Sequence, residues 1–551
     1  MNNRLCSMLV WIVALSMMLG ACGAGSTPVD QQPSDTAGQV VLHTTVEGDA
    51  ADCLNPAYCW IPYNVWEVTY DTLVDWRAIG ESVQGRLAES WDISDDGMTW
   101  TFHLVDLDDV VFHDGTPLTA EDVAWVLNYH GGNPGLSWLL WTKVEENFGA
   151  VATDDRTVVL TLDEPVNPDA FLSSLVYVYM LPRHIWEQYD WTIFSFDNAD
   201  VIGTGPYMLN EWAPGQHLIL DANPNYWKGK PPVDRIIIQA YTTADAQVQA
   251  LMSGEVNHIT DVPAGFVPTL EERPEITIIE RPPMYEYHMF FNMYETDTRH
   301  PALADVQVRR AIAHAINKQQ LLDVAFGGRG VASNNMWDGG ARFDYWSPPD
   351  VKSYPFDLDE ANRILDAAGY ADTDGDGMRE MNDGSGQPLN FRFYFDAAQT
   401  SHLTYAEAIS DWLAAIGIGT ELEVLESLTL TETATSADFD IILYVYGFEW
   451  DPEWQLLSLT CLGIDWGINF PGYCNESFDE IYTAQHLALD REERREYVYQ
   501  AQRIIHDDVP WIQLAYINSY EAYNKELFNL SITDSLWSGW GWYSMWGIEP
   551  Q

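Results

Sequence analysis

Within this chain of 551 residues, one acidic loop has the residue types and spacing of a cation site. Asp372, Asp374 and Asp376 stand at loop positions 1, 3 and 5, with Gly377 at 6, Glu380 at 9 and Asp383 at 12. That is the spacing of a calcium loop, where alternate carboxylates converge on one ion and glycine permits the sharp turn. A helix stop at Gly369 leads into it, but Leu389–Phe395 then alternates like a strand, so a full helix–loop–helix is not expected. Position 12 also carries Asp in place of the longer Glu. The competing reading is a solvated acidic hairpin. Carboxylates and tryptophans could equally serve a two-carboxylate glycoside hydrolase. With 83 Asp and Glu, however, no pair stands out. Neither a Gly-x-Ser-x-Gly elbow nor a His-Glu-x-x-His helix occurs, and His314 reads as packing on a helix.

The cysteines divide into two groups. Arg4 and the apolar run Met8–Leu19 form a targeting segment that ends in Leu19-Gly20-Ala21-Cys22. Small residues before Cys22 resemble a bacterial lipobox, in which the thiol takes up an acyl anchor that tethers a soluble protein. Apart from Cys6 and Cys22, the remaining four are Cys53, Cys59, Cys461 and Cys474. An even number outside the cytoplasm predicts disulfides. The local pairs Cys53–Cys59 and Cys461–Cys474 are the simplest of three pairings, and no histidine accompanies these cysteines at metal-ligand spacing.

Residues 23–39 are small, polar and rich in Pro and Gly, which makes them a flexible tether, and folded sequence begins near Val40. Thereafter strand and helix patterns alternate. Trp100, Phe102 and Leu104 share one face of Thr99–Leu104, and Val158, Leu160 and Leu162 share one face of the next such run. Thr119 with Asp122, Asp305, and Asp357 with Glu360 start helices, the last stopped by Gly369. Mixed periodicity predicts an α/β, mixed α+β architecture. Hydrophobic residues make up 47% and charged residues 20%, so general disorder is excluded. The net charge of −57, with only six lysines, excludes a nucleic-acid binder and disfavours adsorption to anionic lipid. Only the leader is apolar for long enough to meet a bilayer, so a polytopic membrane protein is excluded as well.

Six segments in order resemble one family. They are LAESWDISDDGMTWTFHLVDLDDVVFHDGTPLTAEDV (87–123), GTGPY (203–207), NPNYWKGKPPVDRI (223–236), ALMSGEV (250–256), PALADVQVRRAIAHAINK (301–318) and GYCNESFDEI (472–481). Together they resemble the extracellular solute-binding proteins, family 5, the oligopeptide- and dipeptide-binding components of ABC importers. Each motif also has a structural reading, such as the Asp114-Gly115 turn or backbone freedom at Gly203 and Gly205.

The resemblance implies a type II periplasmic-binding-protein-like, two-lobed clamshell with an inserted extra lobe. Mapped here, lobe I takes 40–85, 197–287 and 516–551, lobe II 86–196 and lobe III 288–515. It also implies no enzyme activity and no required cofactor. The expected function is a lipid-anchored monomer outside the cytoplasm, capturing a peptide between its lobes for an ABC permease. An oligosaccharide is the alternative solute, in keeping with 24 tryptophans. In peptide-binding members an aspartate four residues before a proline pairs with the peptide ammonium. The position four before Pro452 is Phe448, which cannot form that ion pair, although Glu449 is adjacent. The resemblance leaves Trp60, Tyr446, Phe448, Glu449, Trp450 and Asp451 as candidate cleft residues.

Overall fold

The computed structural model describes residues 38–47, 54–56, 63–75, 83–131, 149–189, 200–296, 299–333, 335–337, 344–397, 399–447, 451–530 and 548–550. The chain divides into residues 1–39 and a folded unit from Val40 to Gln551. Cys22, Cys53, Cys59, Trp60, Phe448, Glu449 and Trp450 lie outside the described residues.

The folded unit is built around two separate sets of apolar cores, which gives the two-lobed clamshell architecture. The first core unites Leu42, Trp66, Trp100, Phe102, Leu220 and Ile236. Two four-stranded sheets feed it. One runs in the order Val41–Glu47, Arg235–Tyr241, His217–Ala222, Tyr207–Ala213. The other runs Ala88–Ile93, Thr99–Leu104, Thr157–Thr161, Gly149–Asp154. The alternation read at Thr99–Leu104 is present, with Trp100, Phe102 and Leu104 inward and Thr99, Thr101 and His103 half-exposed.

Gly203 and Gly205 join these sheets against Thr69. A Cβ at Gly203 would fall 2.0 Å from the Thr69 carbonyl oxygen, and one at Gly205 would fall 2.5 Å from that of Val68. Neither glycine has positive φ. Close backbone approach, and not the torsional freedom expected from sequence, therefore requires glycine there.

The second body has cores built on Phe291, Ile312, Leu365, Phe393 and Leu443, and on Phe290, Trp337, Phe439, Leu456 and Val498. Its helices start as their caps dictate. Asp305 accepts from the Gln307 amide before Val306–Ala315, and Asp357 accepts from the Glu360 amide before Leu358–Ala368. Gly369 closes the latter helix in the left-handed conformation, φ 89°.

Two long strands, Ile276–Phe291 and Trp511–Asn524, connect the bodies. They pair antiparallel along almost their whole length, with register shifts at Arg281/Pro283, Pro283/Tyr285 and Tyr287/His288. At one end the ribbon joins Ile441–Gly447 and Asn390–Asp396 of the second body, and at the other it meets His258–Ile259. Prolines and bulges break the ladder midway, where a twisting two-stranded strap bends most readily.

Candidate functional site

Two independently cored bodies joined by a bulged ribbon can part and meet about a small molecule. The second body offers the ribbon a wall set by the strand Ile441–Gly447. Tyr446 pairs with Glu286 of the ribbon. Its ring stacks on Phe470 at 6.0 Å and packs edge-on to His288 and Phe290, so it is half-buried in an aromatic cluster. Burial first, then the neighbouring Tyr444 and Glu286, hold its hydroxyl proton far above the ordinary phenol range.

Beneath this wall lie two buried polar networks. The Glu286 carboxylate accepts from His288 Nε2 at 2.7 Å, from Gln513 Nε2 at 2.9 Å and from Gln455 Nε2. Burial raises the pKa of Glu286 in spite of these donors. In the second network, Arg494 is fully buried and grips Asp451 through two hydrogen bonds of 2.6 and 2.5 Å. Its Nε donates to Gln485 at 2.9 Å, and its guanidinium lies over Trp346. Glu453 accepts from Tyr482 at 2.6 Å, Gln485 at 2.8 Å and His486 Nδ1 at 2.7 Å. Burial alone would raise the Glu453 pKa, but His486, then Arg494, outweigh it and hold it at about 2. His486 moves the opposite way: burial favours the neutral ring, yet Glu453 raises its pKa above the ordinary value. Asp451, expected at the cleft, is 7% exposed with both oxygens taken up by Arg494. Asp451 also accepts from the Glu453 amide at 2.9 Å, so the ion pair ties the start of the helix Glu453–Leu457 to Arg494.

The same helices meet the first body away from the ribbon. Asn167 caps Pro168–Leu175, its side-chain oxygen accepting from the Asp169 and Ala170 amides. The other half of its amide donates to the Ala488 carbonyl at 2.5 Å, and its backbone amide donates to the His486 carbonyl at 2.8 Å. Asp169 pairs with Arg491 at 3.1 Å, and the Leu489 side chain lies over Gly97.

Cys461 and Cys474 form a disulfide, as one of the two expected pairs. The acidic loop brings Asp372, Asp374, Asp376 and Glu380 together, with one carboxylate oxygen from each within 4.8 Å of the others. Asp383 is not in that group. Glu380 bridges to Ala371 and to Pro388, so the chain turns back there, and Asp383 closes a separate turn by accepting from the Ser385 amide. A cavity of about 60 Å³ beside Lys318, Tyr354 and Gln502 lies inside the second body and has room for only a few waters.

Sequence reading missed Asn167, Glu286, Glu453, His486 and Arg494. An Asn-Pro pair opening a helix and an Arg-Arg step in a lysine-poor chain were the available cues. No helix among the described residues is long and apolar enough to cross a membrane.

Comparison with known proteins places this architecture. The description "bacterial extracellular solute-binding proteins, family 5 Middle" matches residues 82–465. The chain is 26% identical over 491 residues to di/tripeptide-binding protein 2 of Pseudomonas aeruginosa, covering 83% of this chain and 86% of that one. It is 26% identical over 480 residues to heme-binding protein A of Haemophilus influenzae, covering 81% of each. Among solved structures, a periplasmic oligopeptide-binding protein of an oligopeptide ABC transporter from Thermotoga maritima superposes with TM-score 0.82 at 21% identity. The superposition covers 94% of this chain and 100% of that one, a likeness of fold. The match over residues 82–465, on a hinged two-lobed body, means that this chain belongs to the bacterial extracellular solute-binding proteins, family 5.

Proposed function

We propose that the protein captures a peptide between its two bodies and hands it, chemically unchanged, to an ABC permease. The observation that carries this reading is the family match on a molecule whose two cores are joined by a bulged ribbon, together with the di/tripeptide-binding relative. A population of open molecules binds solute, and solute contacts made on both bodies favour the closed form. No covalent step is involved. The lobes are those drawn above, 40–85 with 197–287 and 516–551, then 86–196, then 288–515, and the ribbon carries the two crossings between the first and third. Acylation at Cys22 holds the protein, as a monomer, at the outer face of the membrane, and Cys53 pairs with Cys59. The carboxylate group of Asp372, Asp374, Asp376 and Glu380 takes calcium as a structural ion, with water or backbone oxygens completing its shell.

Native mass spectrometry of the purified protein, mixed in turn with a tripeptide pool and an oligosaccharide pool, tests the reading. Retention of intact tripeptides, with no fragments in solution, is expected. Retention of sugars alone, or conversion of either pool, refutes it.

A further inference from the structure

The contact between Asn167 and the 486–491 segment deserves a function of its own. The two bodies have separate cores, so outside the ribbon they are free to part unless something fastens them. Asn167 joins them by two hydrogen bonds, to the Ala488 and His486 carbonyls, and Asp169–Arg491 and Leu489 over Gly97 add to the join. Asn167 is 1% exposed, and its side-chain oxygen is already used to cap its own helix, so the two halves of one amide serve two bodies. The carbonyls that it reads belong to the end of the helix Glu476–Leu487 and the turn after it. That helix is held by His486 and Gln485 to Glu453, and through Arg494 to Asp451.

We infer that Asn167 is the clasp of the closed molecule: an affinity-setting residue that touches no solute and is engaged whenever the bodies meet, in the closed fraction of the solute-free protein as well as with solute bound. This rests on the closing mechanism proposed above. Solute bound between the bodies would then be released only after the clasp parts. Its strength would enter the dissociation rate of every solute by the same factor, leaving the order of preference among solutes unchanged.

The substitution Asn167→Asp isolates this role. Aspartate retains the capping oxygen but replaces the amide donor with an acceptor aimed at the Ala488 carbonyl. Full-length wild-type and variant proteins are compared by hydrogen exchange without solute, then by dissociation kinetics with an equimolar tripeptide pool. We expect exchange across 486–491 and at the residue 167 amide to rise about tenfold in the variant, with the ribbon unchanged. Every retained tripeptide should leave about tenfold faster, and the melting temperature of the solute-free protein should be unaltered. Arg491→Gln should give the same pattern at about twofold. Unchanged exchange and dissociation would overturn the inference. So would a lower solute-free melting temperature without faster exchange at 486–491, which would mean that Asn167 is only a cap. If the wild type retains no tripeptide, the peptide reading fails, and the solute-free exchange still decides the clasp.

Discussion

Arg494 is the side chain on which the buried polar layer of the second body depends, and its removal has a calculable consequence. Its guanidinium is wholly buried and neutralises Asp451 by a two-pronged ion pair, while Glu453 lies 3.5 Å away. Asp169 also feels its charge. Arg494→Met fills similar volume but strands Asp451, which among the described residues keeps only the Glu453 amide as a donor. Breaking a buried pair from one side costs about 3–5 kcal/mol, because a desolvated charge is left uncompensated. Removing both charges, in Arg494→Met with Asp451→Asn, should recover at least half of that loss, since the desolvation cost is lifted with the attraction. The assay is urea unfolding followed by tryptophan fluorescence, to which Trp346 under the guanidinium contributes. Urea is chosen because a salt denaturant would screen the interaction, and midpoints are compared at equal slope. A loss below about 1 kcal/mol in the single variant, or a double variant no better than the single, would refute this reasoning.

Three further outcomes are expected. Glu453 titrates lower in the folded protein than its ordinary 4.5, so its stabilisation is present above that value and lost as pH falls towards about 2. His486 titrates above its ordinary 6.5, so its contribution is full below that value and lost as pH rises through the folded value. The pair is therefore strongest between pH 4.5 and 6.5, and His486→Gln should lower the melting temperature most in that window. Parallel wild-type and variant profiles across pH would contradict this. Millimolar calcium should raise the melting temperature by a few degrees and EDTA should reverse it, with Asp374→Asn abolishing the response. An identical melt with and without chelator would exclude a bound ion. Because Phe448 stands where an ammonium-pairing aspartate would be, N-acetylation of a bound tripeptide should change its dissociation constant by less than about threefold. A loss of a hundredfold or more would show that a carboxylate such as Glu449 takes the amine.

Local order was legible where it depends on neighbours in sequence. The alternation at Trp100, Phe102 and Leu104, and the Asp357 cap with its Gly369 stop, are short-range patterns that backbone geometry imposes. Cys461 and Cys474 lie 13 residues apart, near enough for proximity to suggest their pairing. The polar layer was not legible. Asn167 meets Ala488 across 321 residues and Arg494 meets Asp451 across 43, and single polar contacts of that kind leave no periodic trace. Asp451 is an example: the sequence names it with its aromatic neighbours as a cleft candidate, and nothing in the sequence announces its buried ion pair with Arg494. Asp383 fell out of the acidic group for a related reason. Loop spacing assumes one continuous turn, and the reversal at Glu380 interrupts it.

The most direct test of the whole account is a crystal structure of the protein grown with a tripeptide pool. An intact tripeptide is expected between the two bodies, contacted by both, with Asn167 closed on the Ala488 carbonyl. A rigid body with no peptide between its halves, or a bound product in place of the intact peptide, would contradict it.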